Sequence, residues 1–218
     1  IMSVNENTGA LPGWPLSYPD FLDWQAQNKS FRSLAIYNSS GYLLRTHSGT
    51  EAVKGERVSG SFFQTLGVRP ILGRDFNPGE NQPGGPNVTL MSYEAWTHRF
   101  GARSDVVGQT VDLDTQPYTV IGVLPRSFSF ALSGGAEFWV PINRLSLHEH
   151  SHTFYAFFGI GRLRDGITVP SAQAEMRTIS RQLQRRYAIT GHDLNASVTP
   201  YSEVVVCNVR PILLMLLG

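Results

Sequence analysis

The sequence is poor in cysteine and in charge. Its 218 residues contain one cysteine, Cys207, which excludes an internal disulfide and the common cysteine-based zinc sites. A cysteine-poor chain suits both the cytosol and a bacterial periplasm, so it does not select a compartment. Charged residues make up 16% of the chain and the net charge is +1. We therefore expect no electrostatic field that selects nucleic acid or an acidic substrate by charge.

Several motifs of catalysis and targeting are also missing. The chain has no G-x-S-x-G of the serine hydrolases, and no glycine-rich loop ending in Gly-Lys-Ser/Thr that would hold nucleotide phosphates. The first ten residues lack the basic start and apolar centre of a signal peptide. They are polar and compatible with a tag or a cloning remnant.

The chain ends in an apolar run, Ile212–Leu217, preceded by Val204–Val206. A membrane-spanning helix needs roughly 20 apolar residues, so this run is too short to cross a bilayer. We expect a chain cut a few residues into a transmembrane segment, because an apolar run seldom ends a domain without a polar cap. The alternative is a last strand or helix that covers the core.

What the sequence does contain is typical of a globular protein. Hydrophobic residues make up 41%, and 21 glycines and 13 prolines predict many short elements. The length allows one large or two small domains.

The first third predicts a helix, three strands and a short capped helix. The helix covers Leu16–Asn28, with Ser17 and Asp20 at capping-box spacing and Pro19 in the first turn. Its expected buried residues are Phe21, Leu22 and Trp24. Two strands within Ser33–Arg45 are predicted to turn at Asn38–Gly41, and a third strand covers Glu51–Gly60.

The segment Arg57–Phe76 is predicted to be a pivot between two packed regions. Ser59 is the expected N-cap of a helix that buries Phe62, Phe63 and Leu66, and Gly67 is expected to end it. Val68-Arg69-Pro70 then leaves in an extended path.

The middle third predicts mostly strands. A loop rich in proline and glycine at Asn77–Gly85 marks a subdomain boundary. Ser92 and Gly101 are expected to begin and end one helix. The predicted strands are Asn87–Met91, Val106–Leu113, Tyr118–Leu124 and Glu137–Ile142.

The last third predicts a strand, a long helix and two final strands. The strand Tyr155–Arg164 precedes the helix Val169–Tyr187, which Thr168 caps and whose buried stripe is Ala172, Met176, Ile179 and Leu183. Asn195–Thr199 and Val204–Val206 complete the sheet. The predicted fold class is α+β: one subdomain built from both ends of the chain and interrupted by a β-rich insertion.

A few residues invite a chemical interpretation. His148, His150 and His152 form H-x-H-x-H, which on a strand would place three imidazoles on one face and hold a metal. Because no further ligand supports this, a solvated loop or strand start is the preferred interpretation.

Other candidates are better explained by structure than by catalysis. Gly159-Ile160-Gly161 before Arg162 opens no helix, so close strand packing is favoured over phosphate binding. Cys207 is expected to be a small buried hydrophobe. Four arginines of the long helix could bind phosphate or anionic lipid headgroups, but the preferred interpretation is a charged outer face. They are Arg177, Arg181, Arg185 and Arg186.

Taken together, the motifs resemble the MacB-like periplasmic core domain of ABC transporter permeases, with closest similarity to the acidobacterial-type permeases of the MacB/FtsX class. The resemblance covers Pro15–Gly218 and rests on the order of these segments: Tyr18–Trp24, Val58–Phe63, Leu66–Val68, Leu72–Arg74, Val107-Gly108, Tyr118–Pro125, Gly161–Leu163 and Gly166–Thr168. The tail from Val209 resembles the family's entry into its second transmembrane helix. Asn208-Val209 departs from the glycine and acidic residue that relatives often have.

This resemblance implies a layout of subdomains. A porter-like α/β sandwich is expected from 14–76 and 144–210, with an inserted β-rich, Sabre-like subdomain at 77–143. Residues 211–218 are then the start of a truncated transmembrane helix.

The resemblance also implies a function. The domain is expected at the inner membrane, on its periplasmic side, as a non-catalytic part of the permease that transmits ATP-driven motion and contacts cargo or partner proteins. The implied partners are the permease's transmembrane helices and second copy, a cytoplasmic ABC ATPase and a periplasmic adaptor, with no nucleic acid. No catalytic, cofactor-binding or metal-binding residue is implied. The alternatives are a free periplasmic module for a small ligand, suggested by an aromatic content of 11%, and a metal-dependent enzyme that uses the histidines.

Overall fold

Strands provide most of the regular structure in the computed structural model, which describes residues 1–6, 13–46, 48–189 and 195–205. The α+β fold class predicted from the sequence is confirmed. In chain order the elements are β1 (Met2–Glu6), β2 (Leu16–Ser17), α1 (Tyr18–Gln27), β3 (Phe31–Thr46), β4 (Gly49–Val58), α2 (Phe62–Leu66), β5 (Leu72–Gly73), β6 (Val88–Met91), α3 (Tyr93–Phe100), β7 (Thr110–Leu113), β8 (Gln116–Val123), β9 (Phe138–Pro141), β10 (Tyr155–Leu163), α4 (Val169–Arg186) and β11 (Ala196–Pro200).

The chain divides into two compact units. Unit 1 comprises Ile1–Ile36 and Ser146–Gly218, and unit 2 comprises Tyr37–Leu145. Residues 37–76 therefore group with 77–145, because β4 pairs with β9 and β3 pairs with β7. The pivot segment Arg57–Phe76 lies wholly within unit 2. The assignment of porter-like and Sabre-like subdomains to 14–76 with 144–210 and to 77–143 stays a prediction.

In unit 1, β1 is the central strand of a small antiparallel sheet. It pairs with β10 on one side and with β11 on the other, where Met2 lies opposite Pro200 and Glu6 opposite Ala196. All five residues of β1 are buried. The interpretation of these residues as a tag or cloning remnant is therefore wrong: their backbones pair with two strands, and their side chains are buried instead of facing solvent.

Two helices pack on this sheet, and local capping explains where each begins. The Ser17 hydroxyl accepts the Asp20 backbone N–H at 3.2 Å, and the Thr168 hydroxyl accepts that of Ser171 at 3.3 Å. The predicted stripe of α4, from Ala172 to Leu183, is buried. In α1, Phe21 and Trp24 are buried, whereas Leu22 is 46% exposed, so its predicted burial is wrong.

Unit 2 is built on strands whose pairings close into a ring. The order is β3, β4, β9, β6, β8 and β7, and β7 returns to β3 through the pair Leu44 and Leu113. The inward-facing side chains form one apolar core that includes Tyr42, Leu44, Val53, Met91, Val111, Leu113, Val120, Phe138 and Val140. Unit 2 is thus a small closed barrel, which leaves few unpaired strand edges.

Several predicted boundaries in unit 2 are corrected by strand pairing. β3 is one strand and does not turn at Asn38–Gly41, because each of these residues pairs with β4. The N-cap position of α2 is Ser61 instead of Ser59, while Gly67 ends the helix as predicted, with a φ of 75°. The strand predicted from Val106 is shorter, since 104–106 forms a 3₁₀ turn and β7 begins at Thr110.

An aromatic layer covers the outer face of the barrel beside α2. Phe62 and Phe63 are fully buried and lie 5.6 and 5.5 Å from the Trp139 ring centroid. The remaining rings of this layer are Tyr37, Phe76, Phe128 and Phe130. The stacked contact of Phe62 and the edge-to-face contact of Phe63 with Trp139 hold α2 against β9.

The chain's final segment is described only in part. Residues 201–205 are helical, so the strand predicted at Val204–Val206 is wrong over that range. Cys207, the apolar run Ile212–Leu217 and the predicted start of a transmembrane helix at 211–218 lie outside the described residues.

Among the residues that the structure describes, no helix combines the length and the apolar character needed to cross a membrane.

Candidate functional site

The polar centre of unit 1 is a cluster of side chains from β1, α1 and the segment before β10. Asp20, at the start of α1, is 1% exposed and accepts a hydrogen bond from the Ser17 hydroxyl at 2.7 Å. Its other oxygen lies 2.7 Å from His152 Nδ1. Asp23, one turn further along α1, accepts the Tyr187 hydroxyl at 3.0 Å. Local capping of α1 thus places Asp20 beside residues far away in sequence.

Glu6 joins this cluster from the end of β1. It is 1% exposed, hydrogen-bonds with the Asp20 carboxyl group, and its Oε2 has no hydrogen-bond partner in the described part of the chain. Burial raises the pKa of Glu6 to about 10, and the neighbouring Asp20 adds to the rise. Burial, with Glu6 and Asp20 nearby, also raises the pKa of Tyr155. At neutral pH Glu6 is therefore a protonated acid that can donate to Asp20.

Unit 2 carries a cleft of about 850 Å³ on its barrel, lined by both apolar and charged residues. Its charged lining residues are paired: Arg45 with Asp112, and Arg103 with Asp105. Arg99 binds Glu137 and, at 2.7 Å, Glu51, and these hydrogen bonds raise its pKa. Because these cations already have partners, the cleft has little excess charge with which to attract an ion.

Glu56 is a second buried acid, on the outer face of the barrel in unit 2. It is 0% exposed, and its Oε1 accepts the Ser39 hydroxyl at 2.7 Å. Its neighbour across the strand pair is Trp139 of the aromatic layer. Burial raises the pKa of Glu56 to about 7, although the Ser39 hydrogen bond opposes the rise.

This buried acid makes the stability of unit 2 depend on pH. The ordinary pKa of about 4.5 applies in the unfolded chain and about 7 in the folded one, so folding takes up a proton between these values. Stability is therefore expected to fall as pH rises from 4.5 to 7. Glu56→Gln is expected to remove this fall and to be more stable than the parent by about 2–3 kcal/mol at pH 8.

Urea unfolding of both proteins at pH 4 and pH 8 measures this difference. The two proteins should have similar stability at pH 4, where Glu56 is neutral in both states. If the parent and Glu56→Gln were equally stable at pH 8 as well as at pH 4, the buried position of the carboxyl group would be contradicted.

The three histidines, which would share one face only on a strand, do not do so, and the exposed positions of His148 and His150 agree with the preferred interpretation of a solvated segment. His148 and His150 lie on a 3₁₀ helix, where they are exposed, and Glu149 between them is buried. His152 turns instead to Asp20 and stacks on Tyr187, with 3.7 Å between ring centroids. The segment is not a strand, so His148, His150 and His152 do not form the three-histidine metal site that a strand would allow.

The remaining sequence candidates have simpler roles. Gly159 and Gly161 lie in β10, where an added Cβ would come within 2.0 Å of the Val4 carbonyl and 2.5 Å of the Phe31 ring, so close strand packing explains both glycines. The arginines of α4 are exposed. Sequence reasoning singles out Asp20 as a capping residue and His152 as one of three histidines, but it misses the Glu6–Asp20–His152 cluster because these residues meet only in the folded chain.

Comparison with known proteins agrees with this architecture. The family described as MacB-like periplasmic core domain matches residues 1–179. The periplasmic region of MacB from Actinobacillus actinomycetemcomitans has a similar fold, with a TM-score of 0.66 and 14% identity over 93% of this chain and 89% of that one. So does the extracellular domain of the noncanonic ABC-type transporter YknZ from Gram-positive bacteria, with a TM-score of 0.65 and 15% identity over 91% of this chain and 99% of that one.

A comparison with curated proteins gives no match. The family match covers well over half of the chain, and both structural neighbours share its fold. The chain therefore belongs to the MacB-like periplasmic core domain family and is a domain of a MacB-like ABC transporter permease.

Proposed function

We propose that the chain is the non-catalytic extracytoplasmic domain of its permease, on the periplasmic side of the inner membrane. It transmits motion generated by ATP hydrolysis in a separate cytoplasmic part and contacts cargo or partner proteins. Membership of the family and the periplasmic and extracellular origin of the two structural neighbours support this proposal.

One structural observation carries the proposal: the first and the last strand of unit 1, β1 and β11, lie side by side. β1 and β11 are antiparallel partners over five positions, beginning with Met2 and Pro200. The Tyr201 N–H donates to the Ile1 carbonyl at 3.1 Å. Segments attached before β1 and after β11 would start side by side, as a domain held at both ends by one membrane requires. A displacement of either segment would then act directly on the β1–β11 pair.

The proposed partners follow from this arrangement. They are the permease's transmembrane helices and second copy, together with the ATPase that drives them. A periplasmic adaptor is a further proposed partner.

A spin-label experiment on the complete transporter tests the proposal. Leu22, exposed on α1, is replaced by cysteine in a Cys207→Ser background and labelled. ATP is expected to change the distance distribution between labels on the two permease copies, because hydrolysis moves unit 1.

The control is a transporter whose ATPase binds ATP but does not hydrolyse it. In this control the labels should not alternate between the two distances that hydrolysis produces. Identical distributions with and without ATP would contradict transmission of motion through this domain.

Ligand binding is a second candidate function, favoured by the cleft in unit 2. Its volume of about 850 Å³ lies within the range of small-molecule sites. Such sites need polar groups that are available to orient a ligand, whereas the charged residues of this cleft already pair with one another. We therefore rank it below the transmission of motion.

A further inference from the structure

We propose that Asp20, Asp23 and His152 bind a divalent transition-metal cation in unit 1. Each side chain offers one ligand atom, and the three atoms all lie within 4.8 Å of one another. Asp20 and Asp23 are three residues apart on α1, so they share one face of the helix. His152 approaches from the segment between the 3₁₀ helix His148–His150 and β10.

The ligand set suits such a cation. Imidazole and carboxylate together bind zinc and related metals, and three protein ligands leave one tetrahedral position for water. Zinc bonds of about 2.1 Å separate tetrahedral ligand atoms by roughly 3.4 Å. His152 Nδ1 and Asp20 Oδ1 are now 2.7 Å apart, in direct hydrogen-bond contact. A small side-chain movement therefore opens the space for a cation.

Outer contacts hold two of the ligands, His152 and Asp23, in place. The Tyr187 ring stacks on His152 at an interplanar angle of 26°, which leaves the nitrogen edge of the imidazole free to bind in its plane. The Tyr187 hydroxyl and the Gln27 amide donate to the two oxygens of Asp23, at 3.0 and 3.3 Å. Partners of this kind orient metal ligands and strengthen binding.

Glu6 provides an independent indication of a missing ligand. Its buried carboxyl group contacts Asp20, yet Oε2 has no hydrogen-bond partner in the described part of the chain. Buried polar atoms in native proteins nearly always have one. A water molecule bound to a cation at Asp20 would supply the donor.

The cation would join α1 to the segment that leads into β10. It would not need the exposed histidines His148 and His150, which therefore provide matched controls for nonspecific binding by surface imidazoles.

Zinc titration of the tag-free 218-residue chain, followed by isothermal calorimetry, tests the site. The parent is expected to bind one equivalent of Zn²⁺ with a Kd in the micromolar range or below. Asp23→Asn and His152→Gln are each expected to weaken binding at least about tenfold. The double variant His148→Gln/His150→Gln is expected to bind as the parent does. Elemental analysis of the dialysed complex checks the one-to-one ratio.

Two results would overturn the proposal. One is the absence of saturable Zn²⁺ binding by the parent. The other is loss of binding in the His148→Gln/His150→Gln variant with retention in Asp23→Asn, which would assign the metal to surface histidines. Unfolding temperatures in EDTA show whether each variant is folded, and Asp23→Asn, which changes a half-buried side chain, remains informative should His152→Gln fail to fold.

Discussion

Phe62→Ala is expected to destabilise unit 2 by about 3–5 kcal/mol, the usual cost of truncating a buried phenylalanine. Phe62 is 0% exposed, and its ring centroid lies 5.2 Å from Phe130 and 5.4 Å from Phe63. Its removal leaves a cavity between α2 and β9 that rigid aromatic neighbours cannot fill. Urea unfolding followed by tryptophan fluorescence measures the loss, because Trp139 lies in the same layer.

The matched control is Ile71→Ala in the same unit. Ile71 is 52% exposed, so its truncation is expected to change stability by less than about 1 kcal/mol. If the two variants were equally stable, the aromatic layer would not be the support of unit 2 that the structure indicates.

Gly159→Ala is expected to destabilise unit 1 by about 3 kcal/mol or more, although it adds a single methyl group. The new Cβ would lie 2.0 Å from the Val4 carbonyl oxygen, which is a backbone atom of the central strand. This oxygen cannot move away unless β1 shifts against both β10 and β11. Hydrogen exchange should therefore show loss of amide protection in Met2–Glu6 along with the lower stability.

Gly41→Ala serves as the control for a glycine within a strand. An added Cβ at Gly41 meets no heavy atom within 4 Å, so this change is expected to be neutral or slightly stabilising. Equal effects at Gly41 and Gly159 would show that the contact with the Val4 carbonyl does not set the cost.

Features that depend on neighbouring residues in the sequence could be predicted well. Ser17, Ser92 and Thr168 cap the helices as expected, since a cap needs only the N–H groups of the following turn. Gly67 and Gly101 end helices in the left-handed conformation that favours glycine. The apolar stripe of α4 was equally clear, because its 3.6-residue period is a local pattern.

Features that depend on distant partners could not be predicted. Asn38–Gly41 has the composition of a turn, yet pairing with β4 keeps it extended. Ser3, Asn5 and Glu6 look like solvent-exposed residues, but two neighbouring strands bury them. In each case strand pairing far along the chain outweighs the local preference.

The candidate site shows the same limit. Asp20 was recognised as a capping residue, and His152 as one of three histidines, but nothing in their spacing placed them 2.7 Å apart. Their contact arises because the segment before β10 passes over the start of α1. A site assembled from side chains 132 residues apart becomes visible only in the folded chain.

The pairing of β1 with β11 also makes the domain suitable for transplantation. A surface loop accepts a guest protein with little distortion when the guest's two termini are close, since spanning a short gap costs little chain entropy. Ile1 and Tyr201 meet this condition through their backbone hydrogen bond. Residues 1–201 therefore meet the geometric requirement for insertion into a surface loop of another protein.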